Sequence, residues 1–282
     1  MQRPAITVDS FQTHPDLIDH ICDTIHRAIP PTGEFFSPPD EKIGVSAVLL
    51  LLGPGVHGNG AGPEPCVILN KRSLKVRQPG DICCPGGGVE PRLDGRLTHL
   101  MNMPVSPLGR WPYWKVWRRS HPDQARRLSL LFTTGLREGF EEMRLSPIGV
   151  RFLGPLSPQQ LILFHRVIYP MVGWVTRQKR FFPNWEVEKV VHVPLGNLLR
   201  PENYACYRLA FPPPPDVKAP GGTQDFPCFL HRAGNESELI WGATFRILAT
   251  FLKTVFRFEP PKIESLPVVD GTMDRTYFTG RR

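Results

Sequence analysis

Residues 134–145 read Thr-Gly-Leu-Arg-Glu-Gly-Phe-Glu-Glu-Met-Arg-Leu, and no other stretch constrains this chain so tightly. On a helix, the spacing i, i+3, i+4 stacks Glu138, Glu141 and Glu142 on one face. Three like charges so placed repel one another unless a cation or an arginine stands among them, and Arg137 is adjacent. Hard divalent cations such as Mg2+ take oxygen ligands and keep several waters for phosphate groups. The ridge therefore suits metal-assisted attack on a pyrophosphate. A solvated acidic face is the plain alternative, since charge clusters on helices are commonly just hydrated.

Upstream lies Cys84-Pro85-Gly86-Gly87-Gly88-Val89-Glu90-Pro91, a glycine-rich turn of the kind that lets backbone approach a phosphate closely. Together the two segments resemble the Nudix box, G-x5-E-x7-R-E-U-x-E-E-x-G-U. Its first half aligns with residues 87–94, with one extra residue and Asp94 in place of Glu. Its second half aligns with residues 137–145. Two departures stand out. Asp94 and Arg137 are separated by 42 residues, where the family pattern has seven, so an insertion occupies residues 95–129. The glycine expected after the paired Glu is Arg144, at a place where the family's helix ends in a turn. Arginine tolerates such a left-handed cap poorly, so the helix is expected either to run on or to end with strain.

Residues 69–87, Leu-Asn-Lys-Arg-Ser-Leu-Lys-Val-Arg-Gln-Pro-Gly-Asp-Ile-Cys-Cys-Pro-Gly-Gly, are similar to the additional signature of coenzyme A diphosphatases. The fit is one residue short, with Ile82 for Val and Cys84 for Phe. Further landmarks follow in the family's order at residues 153–156, 169–173, 186–187, 193–195 and 240–244, the last reading Ile-Trp-Gly-Ala-Thr. The resemblance covers about residues 45–255. It implies an α/β (α+β) Nudix fold, an α/β/α sandwich around a mixed sheet. It also implies Mg2+ or Mn2+ held by Glu138, Glu141 and Glu142, and hydrolysis of coenzyme A or acyl-CoA to (acyl-)4′-phosphopantetheine and adenosine 3′,5′-bisphosphate. Within that reading the backbone of Gly86, Gly87 and Gly88 completes the site, and Arg72 and Arg77 contact phosphates, as arginine's planar fork suits. Salt bridging is the alternative for both arginines.

The remaining polar residues carry two readings each. Arg137 either reaches the phosphates or, as preferred here, holds the acidic ridge by charge-assisted hydrogen bonds. Glu90 and Asp94 both compete for the family's acidic position and could equally be turn residues. Glu186 is either a distant base or a surface strand residue. His165 and His192 read as packing or surface residues, since the nine histidines show no metal-binding helical pair around a Glu.

With 282 residues, 41% of them hydrophobic, the chain can bury a sizeable core, and a single domain over residues 1–282 is expected. No run approaches a membrane span, and the N-terminus is polar where a signal peptide would be apolar, so a cytosolic protein is expected, an organelle not excluded. Six cysteines without Cys-x-x-Cys spacing suggest neither zinc nor a disulfide framework. The net charge of +8 favours anionic partners.

Periodicity places an amphipathic helix over residues 15–28, strands over 45–52, 66–70, 150–153, 167–176 and 188–193, weaker strands over 204–211 and 227–231, and a last helix over 243–258. Residues 212–215 form an all-proline connector, and residues 259–282 read as a weakly ordered tail. The insertion interleaves Trp111, Tyr113, Trp114 and Trp117 with Arg110, Lys115, Arg118 and Arg119. A lid over the site or a packing element is the first reading, a homodimer contact the second. Membrane or nucleic-acid binding comes last, no repeat or RNA-recognition signature supporting it. Three function classes survive: a coenzyme A diphosphatase, a Nudix hydrolase acting on ADP-ribose, NADH or a dinucleoside polyphosphate, and a degenerate, non-catalytic phospholigand-binding module.

Overall fold

Strand β1 (Gly44–Pro54) is buried at eight consecutive positions in the computed structural model. Alternate side chains of a strand point to opposite faces, so an unbroken buried run means that the sheet is covered on both. The structure describes residues 7–11, 14–30, 36, 43–55, 64–101, 103–161, 165–211, 222–234, 236–273 and 277. The proline connector at 212–215 lies outside the described residues.

The C-terminal half of β1 pairs antiparallel with β2 (Pro65–Arg72), Leu51 opposite Ile68. Its N-terminal half pairs antiparallel with the short β4 (Gly86–Gly88), Ala47 opposite Gly87. On the other side it runs parallel to β7 (Arg166–Val175). Strands β3 (Ile82–Cys83) and β8 (Val187–Pro194) join β2, while β5 (Val150–Pro155) and β6 (Gln159–Leu161) join β7. The result is an eight-stranded mixed sheet.

Helix α4 (Pro122–Met143) lies across β1 and β4. A Cβ at Gly135 would stand 2.9 Å from Leu49 Cδ2, so the glycine lets this helix sit close to the sheet. Helix α1 (His14–Ala28) buries Leu17, Ile18, Ile21, Cys22 and Ile25 and packs against β5 and α6 (Gly242–Phe256). Helices around a mixed sheet make the α+β arrangement expected, and most element boundaries fall within two or three residues of those expected.

One expectation fails. The tail is not weakly ordered throughout: β12 (Val268–Thr272) pairs parallel with β9 (Tyr204–Ala210) in a second sheet, where β9 also pairs with β10 (Thr223–Ala233) and β10 with β11 (Glu236–Ile240). The insertion matches the packing side of its first reading. It forms α2 (Pro91–Met101), α3 (Trp114–Ser120) and the first turns of α4. Its tryptophans turn inward, Trp111 meeting Phe152 and Trp117 with ring centroids 5.2 and 5.9 Å apart, while Lys115, Arg118 and Arg119 face solvent. Burial of the large apolar rings, worth about 1.5–3 kcal/mol per residue for side chains of this kind, decided that orientation.

Among the described residues no helix is long and apolar enough to cross a membrane.

Candidate active site

Asp94 and Arg137 anchor the site. Asp94 is fully buried, and its Oδ1 accepts a hydrogen bond from Arg137 Nε at 2.7 Å. Its Oδ2 accepts from Thr134 Oγ1 at 2.8 Å and from the Glu90 amide at 2.7 Å. The same guanidinium donates from Nη2 to the Gly88 carbonyl (3.1 Å) and to Glu138 Oε1 (3.1 Å), and from Nη1 to Glu141 Oε2 (3.1 Å). Arg137 thus bonds the glycine turn, Asp94 and two carboxylates of the helix face at once. Burial pulls its pKa down, but Asp94, Glu138 and Glu141 outweigh burial and raise it, so the charge is permanent.

Asp94, in the first turn of α2, is the buried one of the two acidic residues, while Glu90 is exposed.

Strand β4 brings the glycines over the carboxylates. The Gly86 amide donates to Glu142 Oε2 at 3.3 Å, and Asn70 on β2 donates to the same oxygen from Nδ2 at 2.9 Å. A Cβ on Gly87 would lie 2.3 Å from Glu138 Oε1, so only glycine leaves room for that carboxylate. Burial and the neighbouring Glu138 push the Glu142 carboxyl up from its ordinary 4.5 to about 8, against the pull of the Gly86 and Asn70 bonds. Burial likewise raises Glu138, with Glu141 and Glu186 adding to it and Arg137 opposing. Glu186, half-buried at the start of β8, is therefore close enough to feel Glu138; its amide is held by Asn184 Oδ1 and its carbonyl by the Ser73 amide.

Among the described residues no three His, Cys, Asp or Glu side chains form a ready-made cation cage. Glu141 leans to Arg137 and is half exposed. What remains is the half-buried Glu138 and the buried Glu142, both disfavoured in their ionised forms by burial, Glu142 also by Glu138, beside Asn70, whose Oδ1 is buried without a hydrogen-bond partner. Oxygen donors strained in this way fit a Mg2+- or Mn2+-type ion that keeps several of its waters.

Of the two candidate phosphate ligands, Arg72 ends β2 and Arg77 lies on the loop between β2 and β3. Arg72 Nε donates to the Arg77 carbonyl at 2.8 Å, and Arg72 lies near enough to lower the Glu142 pKa. Arg77 is exposed.

Helix α4 ends at Arg144 in the left-handed region, φ 55° and ψ 38°, its amide reaching back to the Phe140 carbonyl. Of the two expectations, the strained stop holds. The guanidinium lies over the Phe140 ring at 5.1 Å, and Gln178 Nε2 donates to the Arg144 carbonyl at 2.9 Å. His192 is half-buried and held below its ordinary pKa by that burial, and His165 is exposed. All six cysteines are free thiols.

Asn70 and Thr134 were not singled out from sequence. Asn70 lies inside the upstream signature, and Thr134 precedes Arg137 by one helical turn, the only signals available for either.

Neither a protein-family model nor a curated protein sequence matches the chain. Solved structures similar to it are described as Nudix hydrolases or their relatives. They include a MutT/nudix family protein from Enterococcus faecalis (13% identity, 84% of this chain and 72% of that one, TM-score 0.39). An Ap4A hydrolase from C. elegans is 11% identical over 56% of this chain and 84% of its own, with a TM-score of 0.35. The Nudix domain of Shewanella oneidensis NrtR, solved with ADP-ribose, is 15% identical over 61% and 87%, with a TM-score of 0.34.

Proposed function

We propose that this chain is a divalent-metal-dependent pyrophosphohydrolase of the Nudix type, acting on a nucleoside diphosphate derivative, with coenzyme A or its thioesters as the preferred substrate. The observation that carries the reading is the Arg137 hub, which binds Asp94, Gly88, Glu138 and Glu141 at once and sets the acidic helix face against the glycine turn.

The residues divide the chemistry as follows. Glu138 and Glu142, with Glu141 and the backbone of the glycine turn, would hold the cation, which when bound polarises phosphoryl oxygens and lowers the pKa of water. Arg72 and Arg77 draw the pyrophosphate towards the ridge. Water is the nucleophile, and Glu186 accepts its proton. Asp94 and Thr134 keep Arg137 in place, so that Glu138 and Glu141 hold their positions without moving during turnover. The preference for coenzyme A rests on the Arg72-Ser73 and Pro79-Gly80 matches in the upstream signature.

Products are to be screened by mass spectrometry over coenzyme A, acyl-CoAs, ADP-ribose, NADH and dinucleoside polyphosphates with Mg2+ or Mn2+. The highest kcat/KM is expected for coenzyme A. A higher value for ADP-ribose removes the coenzyme A assignment and leaves the broader one. Tight binding without turnover would mark a phospholigand-binding module instead.

A further inference from the structure

Tyr277 lies 196 positions from Asp81 in sequence, yet its hydroxyl donates to Asp81 Oδ2 at 2.6 Å. Its carbonyl accepts from the Gln78 amide at 2.7 Å, and Gln78 Nε2 donates to the Tyr277 hydroxyl at 3.3 Å. The other Asp81 oxygen accepts from the Trp241 indole at 3.1 Å. Trp241 is itself boxed by the rings of Tyr207 and Phe226, each with centroids 5.3 Å away.

These contacts fall on the loop that carries the candidate phosphate ligands. The Arg72 amide donates to the Asp81 carbonyl at 2.9 Å and the Gly80 amide to the Arg72 carbonyl at 3.0 Å, closing the loop at its base. Arg72 Nε reaches across it to the Arg77 carbonyl. Gln78, at the far turn, adopts φ 56°, a left-handed conformation costly for a residue with a side chain. A loop of this composition, with Leu74, Lys75 and Arg77 exposed, has little apolar burial of its own to hold one shape. What fixes it is external: one buried-side anchor at Trp241 and one at Tyr277, both on Asp81, with the strained turn hooked to the Tyr277 backbone.

Resting on the pyrophosphohydrolase reading above, we propose that Tyr277 is a positioning residue for substrate, a strap from the C-terminal segment that holds the 72–81 loop so that Arg72 and Arg77 face the phosphates. Asp81 transmits the constraint, since both its oxygens are committed, one to the strap and one to the second sheet's side of the molecule. The arginines then meet the pyrophosphate without first paying the entropy of ordering the loop.

The test uses the full chain and Tyr277→Phe, which keeps the ring and removes only the hydroxyl, with Tyr277→Ala as the stronger variant. Hydrogen exchange of the 72–81 amides and Trp241 emission are read first, then KM and kcat, then the Kd for inorganic pyrophosphate in the presence of Mg2+. Faster exchange in that loop, a shifted Trp241 spectrum and a KM raised about fivefold in Tyr277→Phe, with kcat within about twofold, are expected, a modest part of what losing a hydrogen bond to a charged group can cost. Unchanged exchange in both variants overturns the strap. Faster exchange with unchanged KM and pyrophosphate Kd overturns its role in substrate binding. Should the native protein hydrolyse no pyrophosphate, the active-site reading falls, while the exchange and pyrophosphate-binding measurements still decide the strap.

Discussion

Arg137 and Asp94, 43 positions apart in sequence, meet at 2.7 Å in a buried pair that the glycine turn and the acidic helix face share. Removing one partner of such a pair strands the other charge away from water. Asp94→Ala is therefore expected to destabilise the protein by about 3–5 kcal/mol, and Asp94→Asn by less, because the amide oxygen still accepts from Thr134. Urea denaturation measures both. A loss below about 1 kcal/mol for the alanine variant would mean that the pair is solvated in solution.

Glu142 links stability to pH in the metal-free protein. Its folded pKa is raised from 4.5 to about 8, so in that window the folded chain holds a proton that the unfolded chain has released. Its stabilising contribution is present below the unfolded value and lost as pH rises through the folded one. In chelator, the melting temperature of the native protein should fall between about pH 5 and 8, and that of Glu142→Gln should fall less. Mg2+ at pH 8 should restore the native protein and not the variant, whose activity should drop by several orders of magnitude. Parallel melting curves for the two proteins would refute the assignment.

Gly87 separates geometry from stability. A methyl group at this position would enter the space of the Glu138 carboxylate, and displacing a catalytic group by about 1 Å can cost a hundredfold in rate. Gly87→Ala should lose about that much in kcat while its circular dichroism and urea midpoint stay close to native. Native kcat would place Glu138 outside the chemistry.

At Arg144 the opposite is expected. Glycine removes a left-handed penalty of about 1–2 kcal/mol, offset in part by its own unfolded-state entropy and by the lost stacking on Phe140. Arg144→Gly should leave activity intact and raise stability by about 0.5 kcal/mol, read from the denaturation midpoint at constant m-value.

Helix α3 buries Trp114 and Trp117 and leaves Arg118 and Arg119 exposed. If the insertion is a packing element, replacing both by Ala should change neither KM nor the salt dependence of kcat/KM, since exposed charges contribute to an anionic substrate's encounter only within about a Debye length, about 8 Å at physiological salt. A raised KM with a weakened salt slope would mark a lid over the site.

The elements nearest the chemistry were legible because their signals are local. A run of apolar residues over 45–52 makes a buried strand, and the Glu138, Glu141, Glu142 spacing makes a carboxylate face on a helix. The ambiguity between Glu90 and Asp94 could not be resolved locally: which of two nearby acidic residues is buried depends on which one meets Arg137, 43 positions beyond Asp94 on α4. The tryptophans of the insertion fit a surface platform and a core layer equally well in sequence, and the burial of Trp111 against Phe152 and Trp117 chose the core.

Sequence by itself determined the α+β class, the acidic helix, the glycine turn and their order, since backbone propensity, periodicity and spacing are properties of neighbouring residues. Only the tertiary structure decided that Asp94 partners Arg137, that Asn70 caps Glu142, and that the chain returns at Tyr277 to hold Asp81. Each of those is a contact between residues tens to hundreds of positions apart, fixed by how the sheet, α4 and the second sheet bury their apolar surfaces against one another, and no local pattern in the chain encodes which polar groups that burial leaves face to face.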